Sequence, residues 1–160
     1  MATRRRFVLG TLGVAGALVV GWSMLPPRQR LVPSKPPLEP AGQKAFNGWV
    51  RIGNDGGVTV MVPKSEMGQG VHTALAKLVA EELDADWTRV RVEHPPIDAI
   101  YNNLATVVDG LPFHPDDEGP LRKLAGWLTA KSMREVGLMM TGGSSSVKDL
   151  WQPMREAGAS

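Results

Sequence analysis

Cysteine is absent from the 160 residues of this chain. Its absence excludes disulfide bonds, thiolate zinc sites and cysteine-ligated iron–sulfur clusters within the chain. Histidine is scarce as well, because His72, His94 and His114 lie at unrelated spacings and form no helical His-x-x-x-His pair. We therefore predict no metal ligated by these side chains, and a redox cofactor in this chain has to be held by other groups.

A basic surface is also missing once the N-terminus is set aside. The formal net charge of the chain is +2, and without Arg4, Arg5 and Arg6 it falls to −1. The basic character therefore belongs to the first residues and not to the rest of the chain. We predict no nucleic-acid partner.

The N-terminus has the layout of an export signal, with three arginines in front of an uncharged apolar run over residues 8–25. A pair of arginines before a phenylalanine and an apolar stretch is the twin-arginine pattern, which marks proteins exported folded across the bacterial inner membrane. Arg4, Arg5 and Phe7 carry that pattern here. We predict that residues 1–25 are this signal and that the rest of the chain lies in the periplasm.

The apolar run is long enough to remain in the membrane as an anchor. At about 1.5 Å per helical residue, residues 7–25 extend about 28 Å, close to the thickness of the hydrocarbon core. No small-x-small cleavage site precedes Pro26 and Pro27. A cleaved signal and an uncleaved anchor in the inner membrane both remain open.

The next segment is rich in proline and favours extended backbone, so we predict a linker over residues 26–45 and a folded region over residues 46–160. Two alternating runs, 49–52 and 58–62, are separated by the glycine-rich residues 53–57. This pattern predicts a β-hairpin. Residues 89–93 alternate in the same way and predict a third strand.

Helical spacing of apolar residues appears in three places. Residues 71–83 repeat apolar side chains every three or four positions, as do residues 120–136, which begin with Pro120. A further helix is predicted over residues 147–156, whereas residues 97–119 lack a period and are interpreted as a long loop or lid. The order predicts an α+β fold, in which a signal or anchor helix precedes a small mixed module of a larger domain.

Two loops rich in small residues lead directly into helices. In the first, Gly68 and Gly70 allow close approach of a ligand, and the N–H groups of the next helix favour an anion. In the second, residues 141–146, hydroxyl and backbone donors can cap the helix, hold a phosphate, or do both. A plain turn and ordinary capping are the more common explanations of such loops. Two of them in one short chain favour a dinucleotide-like ligand, although neither matches a Walker or Rossmann spacing.

Three segments are distinctive when taken together: SEMGQGV (65–71), AEEL (80–83) and TGGSSS (141–146). They resemble the molybdopterin-binding subunits of the xanthine dehydrogenase family, in particular the isoquinoline 1-oxidoreductase beta subunits and related membrane-bound aldehyde dehydrogenases. The resemblance runs from the leader to residues 151–159. It implies the N-terminal part of the large subunit of a molybdenum hydroxylase.

The resemblance also implies the residues that meet the cofactor, a molybdenum molybdopterin cytosine dinucleotide. The first loop is expected to pack against the pterin, with Gln69 near the molybdenum without ligating it, and the second loop is expected to contact the pterin and phosphate portions. The implied cofactor-binding residues are Met67, Gly68, Gln69, Gly70, Gly142, Gly143, Ser144, Ser145 and Ser146.

The implied reaction is the oxidation of N-heterocycles or aldehydes with water as the oxygen source. Electrons are expected to pass to iron–sulfur clusters on a small partner subunit and then to an acceptor such as a cytochrome. The family's catalytic glutamate comes far downstream of these motifs, so no residue here is predicted to be catalytic and the chain alone is expected to be inactive. Glu66 and Glu81 are the candidate substitutes, since a desolvated carboxylate can act as a base, although Glu81 belongs to a solvated helix flank.

A different class of function also fits the sequence. The chain can be a membrane-tethered periplasmic module that binds a partner or a nucleotide-like ligand without catalysis. Stable folding of the chain alone would favour this alternative.

Overall fold

A computed structural model describes residues 3–25, 29–114 and 116–160. It contains α1 (Thr3–Met24), β1 (Gln43–Ala45), β2 (Val50–Gly53), β3 (Val58–Met61), α2 (Val71–Glu82), β4 (Val90–Glu93), α3 (Ala105–Asp109), α4 (Pro120–Val136) and α5 (Ser146–Ala159). The predicted α+β class with an N-terminal apolar helix is confirmed. Pro26 and Pro27 of the predicted linker, Pro115 of the predicted loop and the side chain of Arg5 in the predicted signal lie outside the described residues.

The four strands form one sheet in the order β1-β2-β3-β4. The predicted hairpin is confirmed, because β2 pairs with β3 in antiparallel register with Val50 opposite Val60. β4 pairs with β3 in parallel, Val60 opposite Val92. A parallel pair needs a crossover connection, and α2 provides it.

The core lies between the sheet and the pair formed by α2 and α5. Leu75 and Val79 of α2 and Leu150 and Met154 of α5 are fully buried. Gly158 lets the two helices approach closely, since a Cβ at this position would lie 2.8 Å from the carbonyl oxygen of Val79. The predicted helical periodicities of α2, α4 and α5 therefore correspond to real helices, two of which close the core.

Residues 97–119 are not the unbroken loop or lid that the sequence predicted. A 3-10 turn, Ala99–Tyr101, and α3 both lie within this segment. Tyr101 is buried, its ring stands edge-on to Trp49 with 4.8 Å between ring centroids, and its hydroxyl donates to the Gly48 carbonyl. Elements of three and five residues are too short to produce a period, so the pattern could not reveal them.

The predicted linker also has more structure than its prolines indicated. Its last three residues form β1, which pairs with β2. The described part before β1 is bonded to the folded region: Leu31 O accepts from Gly48 N at 2.7 Å, and Ser34 N donates to Asp98 at 2.7 Å. Extended backbone was the correct expectation for proline-rich chain, but these contacts hold it against the fold.

Three charged side chains, Arg30, Lys64 and Asp149, form a buried group that we call the Asp149 cluster. The Asp149 carboxylate lies 3.2 Å from an Arg30 Nη and 3.7 Å from Lys64 Nζ, and the three side chains are at most 11% exposed. It also accepts from the backbone N–H groups of Leu104 and Ala105 at 2.8 and 3.2 Å. The cluster thus joins the linker, the end of the β3 segment, α3 and α5.

Pro153 explains a further contact of this cluster. A proline inside a helix has no N–H to donate to the carbonyl four residues earlier, which here is that of Asp149. Arg30 Nη1 donates to that carbonyl at 3.2 Å instead. Arg30 therefore satisfies both the side chain and the backbone of Asp149.

Removing the carboxylate should destabilise the fold strongly. We expect Asp149→Ala to lower the free energy of unfolding by about 3–5 kcal/mol, because it leaves two buried cations without a counter-charge. The neighbouring Lys148→Ala breaks the exposed pair with Asp109 and should cost at most about 1 kcal/mol. Urea unfolding followed by circular dichroism compares the two variants, and equal midpoints would contradict the role assigned to Asp149.

Candidate functional site

The two small-residue loops, 65–70 and 141–146, lie side by side and border one cavity of about 330 Å³. The backbone N–H of Ser65 donates to the Thr141 hydroxyl at 2.8 Å and joins the loops directly. The cavity is lined by Met67, Gln69, Val71, Ala74, Thr141, Gly142, Ser144, Ser146 and Val147. Residues about 75 positions apart in the sequence therefore form one candidate site.

Lys64 makes a hydrogen bond next to each of the two loops. Its Nζ donates to the carbonyl of Met140 at 3.0 Å, just before the second loop. Its own carbonyl bonds the ring Nε2 of His72 at 2.7 Å, just after the first loop. Burial lowers the pKa of Lys64, and the nearby Asp149 opposes that shift. The Asp149 cluster thus connects to the beginning of each loop.

The first loop is organised around the carboxylate of Glu66. The carboxylate accepts from the backbone N–H groups of Gly68, Gly70 and His72 at 3.0, 2.9 and 3.0 Å. The two glycines have φ values of +89° and +76°, which other residues rarely adopt. The loop therefore folds around the carboxylate of its own Glu66.

This arrangement corrects two expectations from the sequence. Of the N–H groups at the start of α2, which the sequence left open to an external anion, that of His72 is bonded to Glu66, as is that of the preceding Gly70. The N–H of His72, followed by that of Gly70, lowers the pKa of Glu66, so its carboxylate is a weak base with an existing set of partners. The other candidate base, Glu81, is exposed on α2 and does not line the cavity.

Gln69 is fixed within the same loop. Its Oε1 accepts from the N–H of Met67 at 2.5 Å, and its Nε2 donates to the carbonyl of Ser65 at 2.9 Å. These bonds orient the amide while its side chain lines the cavity. Met67 beside it is 72% exposed.

The second loop differs from the first because its helix is left uncapped. Gly143 and Ser144 have φ values of +60° and +50°, so the chain makes a left-handed turn before α5. No described side chain caps the N-terminus of α5. The first-turn N–H groups of Ser146 and Val147 therefore remain as donors beside the cavity.

Of the residues implied by the resemblance, Gly68, Gly70, Gly143 and Ser145 do not line the cavity, and Ser145 is turned inward. It is fully buried, and its hydroxyl bonds the carbonyl of Gly142 at 2.7 Å, Asn103 Nδ2 at 2.7 Å and the Thr106 hydroxyl at 2.6 Å. It supports the loop from inside and does not line the cavity. Asn103 and Thr106 were not predicted, because they lie in the segment interpreted as a loop.

The donors around the cavity are backbone N–H groups, hydroxyls and one amide. Among residues 3–25, 29–114 and 116–160, no group of three histidine or acidic side chains is arranged to hold a metal ion. Val71, Ala74 and Val147 give the cavity an apolar side. Such a lining suits a ligand that combines a flat ring system with a phosphate.

Comparison with known proteins agrees with this description. Residues 12–107 match the model of the molybdopterin cofactor-binding domain. The chain is 55% identical over 58 residues to isoquinoline 1-oxidoreductase subunit beta of Brevundimonas diminuta, covering 36% of this chain and 7% of that protein. It is 29% identical over 157 residues to membrane-bound aldehyde dehydrogenase [pyrroloquinoline-quinone] of Gluconacetobacter polyoxogenes, covering 98% of this chain and 16% of that protein.

The three N–H groups that bond the Glu66 carboxylate should all respond to its protonation. The pKa of Glu66 is lowered from its ordinary value of 4.5. Its carboxylate should therefore stay ionised and stabilise the loop above pH 4.5, and this stabilisation should be lost as the pH falls through the lowered pKa. We expect the amide proton resonances of Gly68, Gly70 and His72 to move together, with one midpoint below pH 4.5, in an NMR titration. Glu66→Gln should abolish this movement, and three separate midpoints would contradict the arrangement.

Proposed function

The chain belongs to the molybdopterin cofactor-binding domain family, and we propose that it forms one wall of the cofactor site in the large subunit of a molybdenum hydroxylase. The observation that carries this proposal is the convergence of the two loops on one cavity. A volume of about 330 Å³ is near the lower end of small-molecule sites. It accommodates one portion of a dinucleotide cofactor, and the other portions extend beyond this wall.

The donor sets suggest how the cofactor is oriented. The phosphate portion is assigned to the start of α5, where the N–H groups of Ser146 and Val147 are uncapped and the hydroxyl of Ser144 is close by. The start of α2 is less suitable, because the Glu66 carboxylate already accepts from the His72 N–H and repels a second anion. The pterin portion is therefore assigned to the first loop and to the apolar side formed by Val71 and Ala74.

Gln69 has a positioning role in this proposal. A molybdenum cofactor, when bound, supplies a two-electron oxidation with water as the oxygen source. One Nε2 hydrogen of Gln69 bonds the carbonyl of Ser65, and its second hydrogen is available to an acceptor in the cavity. An amide does not titrate near neutral pH, so Gln69 orients a group and does not transfer a proton. We propose no catalytic base among the residues of this chain.

The finer features of the proposal follow the family resemblance. The cofactor is the cytosine dinucleotide form, and the substrates are N-heterocycles or aldehydes. The chain has no cysteine, so the electrons leave through iron–sulfur clusters on a small partner subunit and reach an acceptor such as a cytochrome. The twin-arginine leader directs the folded protein to the periplasmic side of the inner membrane.

Attachment to that membrane is proposed through α1. Residues Arg6–Met24 are long and apolar enough to cross a bilayer by length and composition, a test that a signal sequence also passes. None of this stretch is buried against the rest of the protein. One relative is itself named as membrane-bound.

Cofactor content tests the assignment of the second loop. We expect the protein purified from its native host to carry molybdenum and a pterin, and Gly143→Ala to lower both about tenfold, a change worth about 1.4 kcal/mol of binding. The matched control is Gly42→Ala, which places an alanine at a similar positive φ far from the cavity and should leave both unchanged.

The same assay distinguishes two redox groups. Pyrroloquinoline quinone appears in the printed name of one relative. Molybdenum by mass spectrometry and pterin by fluorescence are measured together with that quinone. Quinone without pterin would overturn the proposal.

Kinetics test the role of Gln69. Gln69→Ala should lower kcat per bound molybdenum up to about a hundredfold, since a small misplacement of reacting groups can cost that much. Gln152→Ala, an exposed glutamine on α5, is the control and should behave as the unsubstituted protein. A rise in KM at constant kcat would show that Gln69 contributes only to binding.

A further inference from the structure

The C-terminal end of α1 is held by a lysine from α4. α1 has no basic residue in its last turn, and a helix end leaves carbonyl groups without partners. Lys131 Nζ donates to the carbonyls of Trp22 and Leu25, the second at 2.5 Å. The same ammonium lies 4.4 Å from the centre of the Trp22 ring and 4.8 Å from that of Trp127. A cation at this position is favoured by both the helix dipole and the aromatic faces.

A second basic residue of α4 holds the chain beyond α1. Arg134 Nη2 donates to the carbonyl of Gln29 at 2.5 Å. Lys131 and Arg134 are both buried, although they carry charge. α4 is therefore fixed at the point where the chain leaves the apolar helix.

A row of leucines continues from Lys131 along α4. Leu121, Leu124 and Leu128 precede Lys131 at spacings of three and four residues, which place all four side chains on one face. Leu121 is 68% exposed and Leu124 is 54% exposed. Arg122 and Lys123 lie on the opposite face of the helix, and the acidic residues 116–118 precede it. A row of exposed leucines opposite a basic face is typical of helices that lie in a membrane interface.

We propose that α4 lies in the interface of a phospholipid bilayer, with its leucine row toward the lipid and Lys131 fixing it beside the end of α1. The apolar stretch Arg6–Met24 of α1 spans about 28 Å, enough for the hydrocarbon core. Arg4 and Arg6 at its start stay on the cytoplasmic side, so its C-terminal end emerges on the periplasmic side. Because Lys131 contacts that end, this part of α4 lies at the depth of the headgroups.

Two consequences follow for the protein. α4 becomes a second membrane contact, which prevents the domain from rotating freely about α1. Trp22 and Trp127, on either side of the Lys131 ammonium, occupy the zone where tryptophan is enriched in membrane proteins. This inference rests on the proposed attachment by α1, and the experiment measures the two separately.

The absence of cysteine makes a direct test possible, because one introduced cysteine gives one labelled site. The full chain is placed in vesicles of equal parts phosphatidylcholine and phosphatidylglycerol. An environment-sensitive fluorophore is attached at Leu124→Cys in the leucine row, at Val14→Cys within α1, or at Leu38→Cys, a control that is 74% exposed on the folded region. Quenching is measured with a spin-labelled lipid and with iodide in the water.

We expect the spin-labelled lipid to quench the labels at positions 14 and 124 and iodide to quench the label at position 38. Lys131→Met should reduce lipid quenching at position 124 severalfold and leave position 14 unchanged.

The other outcomes separate the possible failures. If position 14 is not quenched by lipid, the attachment by α1 is wrong. If position 14 is in lipid but iodide quenches position 124, the interfacial placement of α4 is overturned and the attachment stands. If neither quencher reaches position 124, a protein surface covers the leucine row and the proposal for a lipid surface is equally overturned.

Discussion

The buried carboxylate of Asp149 is the constraint on which the candidate site depends. Two cations and two backbone N–H groups converge on it, and they come from three separate parts of the chain. Arg30 brings the proline-rich segment, Lys64 brings the first loop and, through Met140, the second loop. A buried charge is retained only when its partners are in place, so this one carboxylate fixes the relative position of both walls of the cavity.

The two loops differ in how the N–H groups at the start of the following helix are bonded. Each precedes a helix whose first N–H groups point outward and attract negative charge. The first loop supplies that charge internally through Glu66, whereas the second loop turns the Ser145 hydroxyl inward and leaves the N–H groups of α5 open. One helix start is thus partly satisfied by the chain's own carboxylate, and the other keeps its first donors beside the cavity. This difference underlies the proposed orientation of the cofactor.

Long, periodic elements could be predicted from the sequence, and short or non-local ones could not. Repeated apolar spacing predicted α2, and two alternating runs around a glycine-rich turn predicted the β2–β3 hairpin. β1 and the turn at Ala99–Tyr101 have three residues each, too few for any period. The candidate loops were found by resemblance, but the inward turn of Ser145 and the closure around Glu66 depend on contacts between distant segments that spacing does not encode. Arg30 was overlooked for the same reason, because a basic residue in a proline-rich stretch suggests solvent exposure.

Because of Pro153, one contact of the N-terminal segment can form only after α5 is present. Because a proline cannot donate to the Asp149 carbonyl, that group depends on Arg30, which lies 119 positions earlier in the chain. The segment next to the apolar N-terminal helix therefore gains its last contacts only when α5 has been synthesised. A chain that stops before Asp149 leaves Arg30 bonded to the carbonyls of Ile100 and Asn102 but without the carboxylate. The molecule thus links the state of its leading end to the completion of its distant helix, and a chain interrupted before Asp149 differs at its N-terminal end from a finished one.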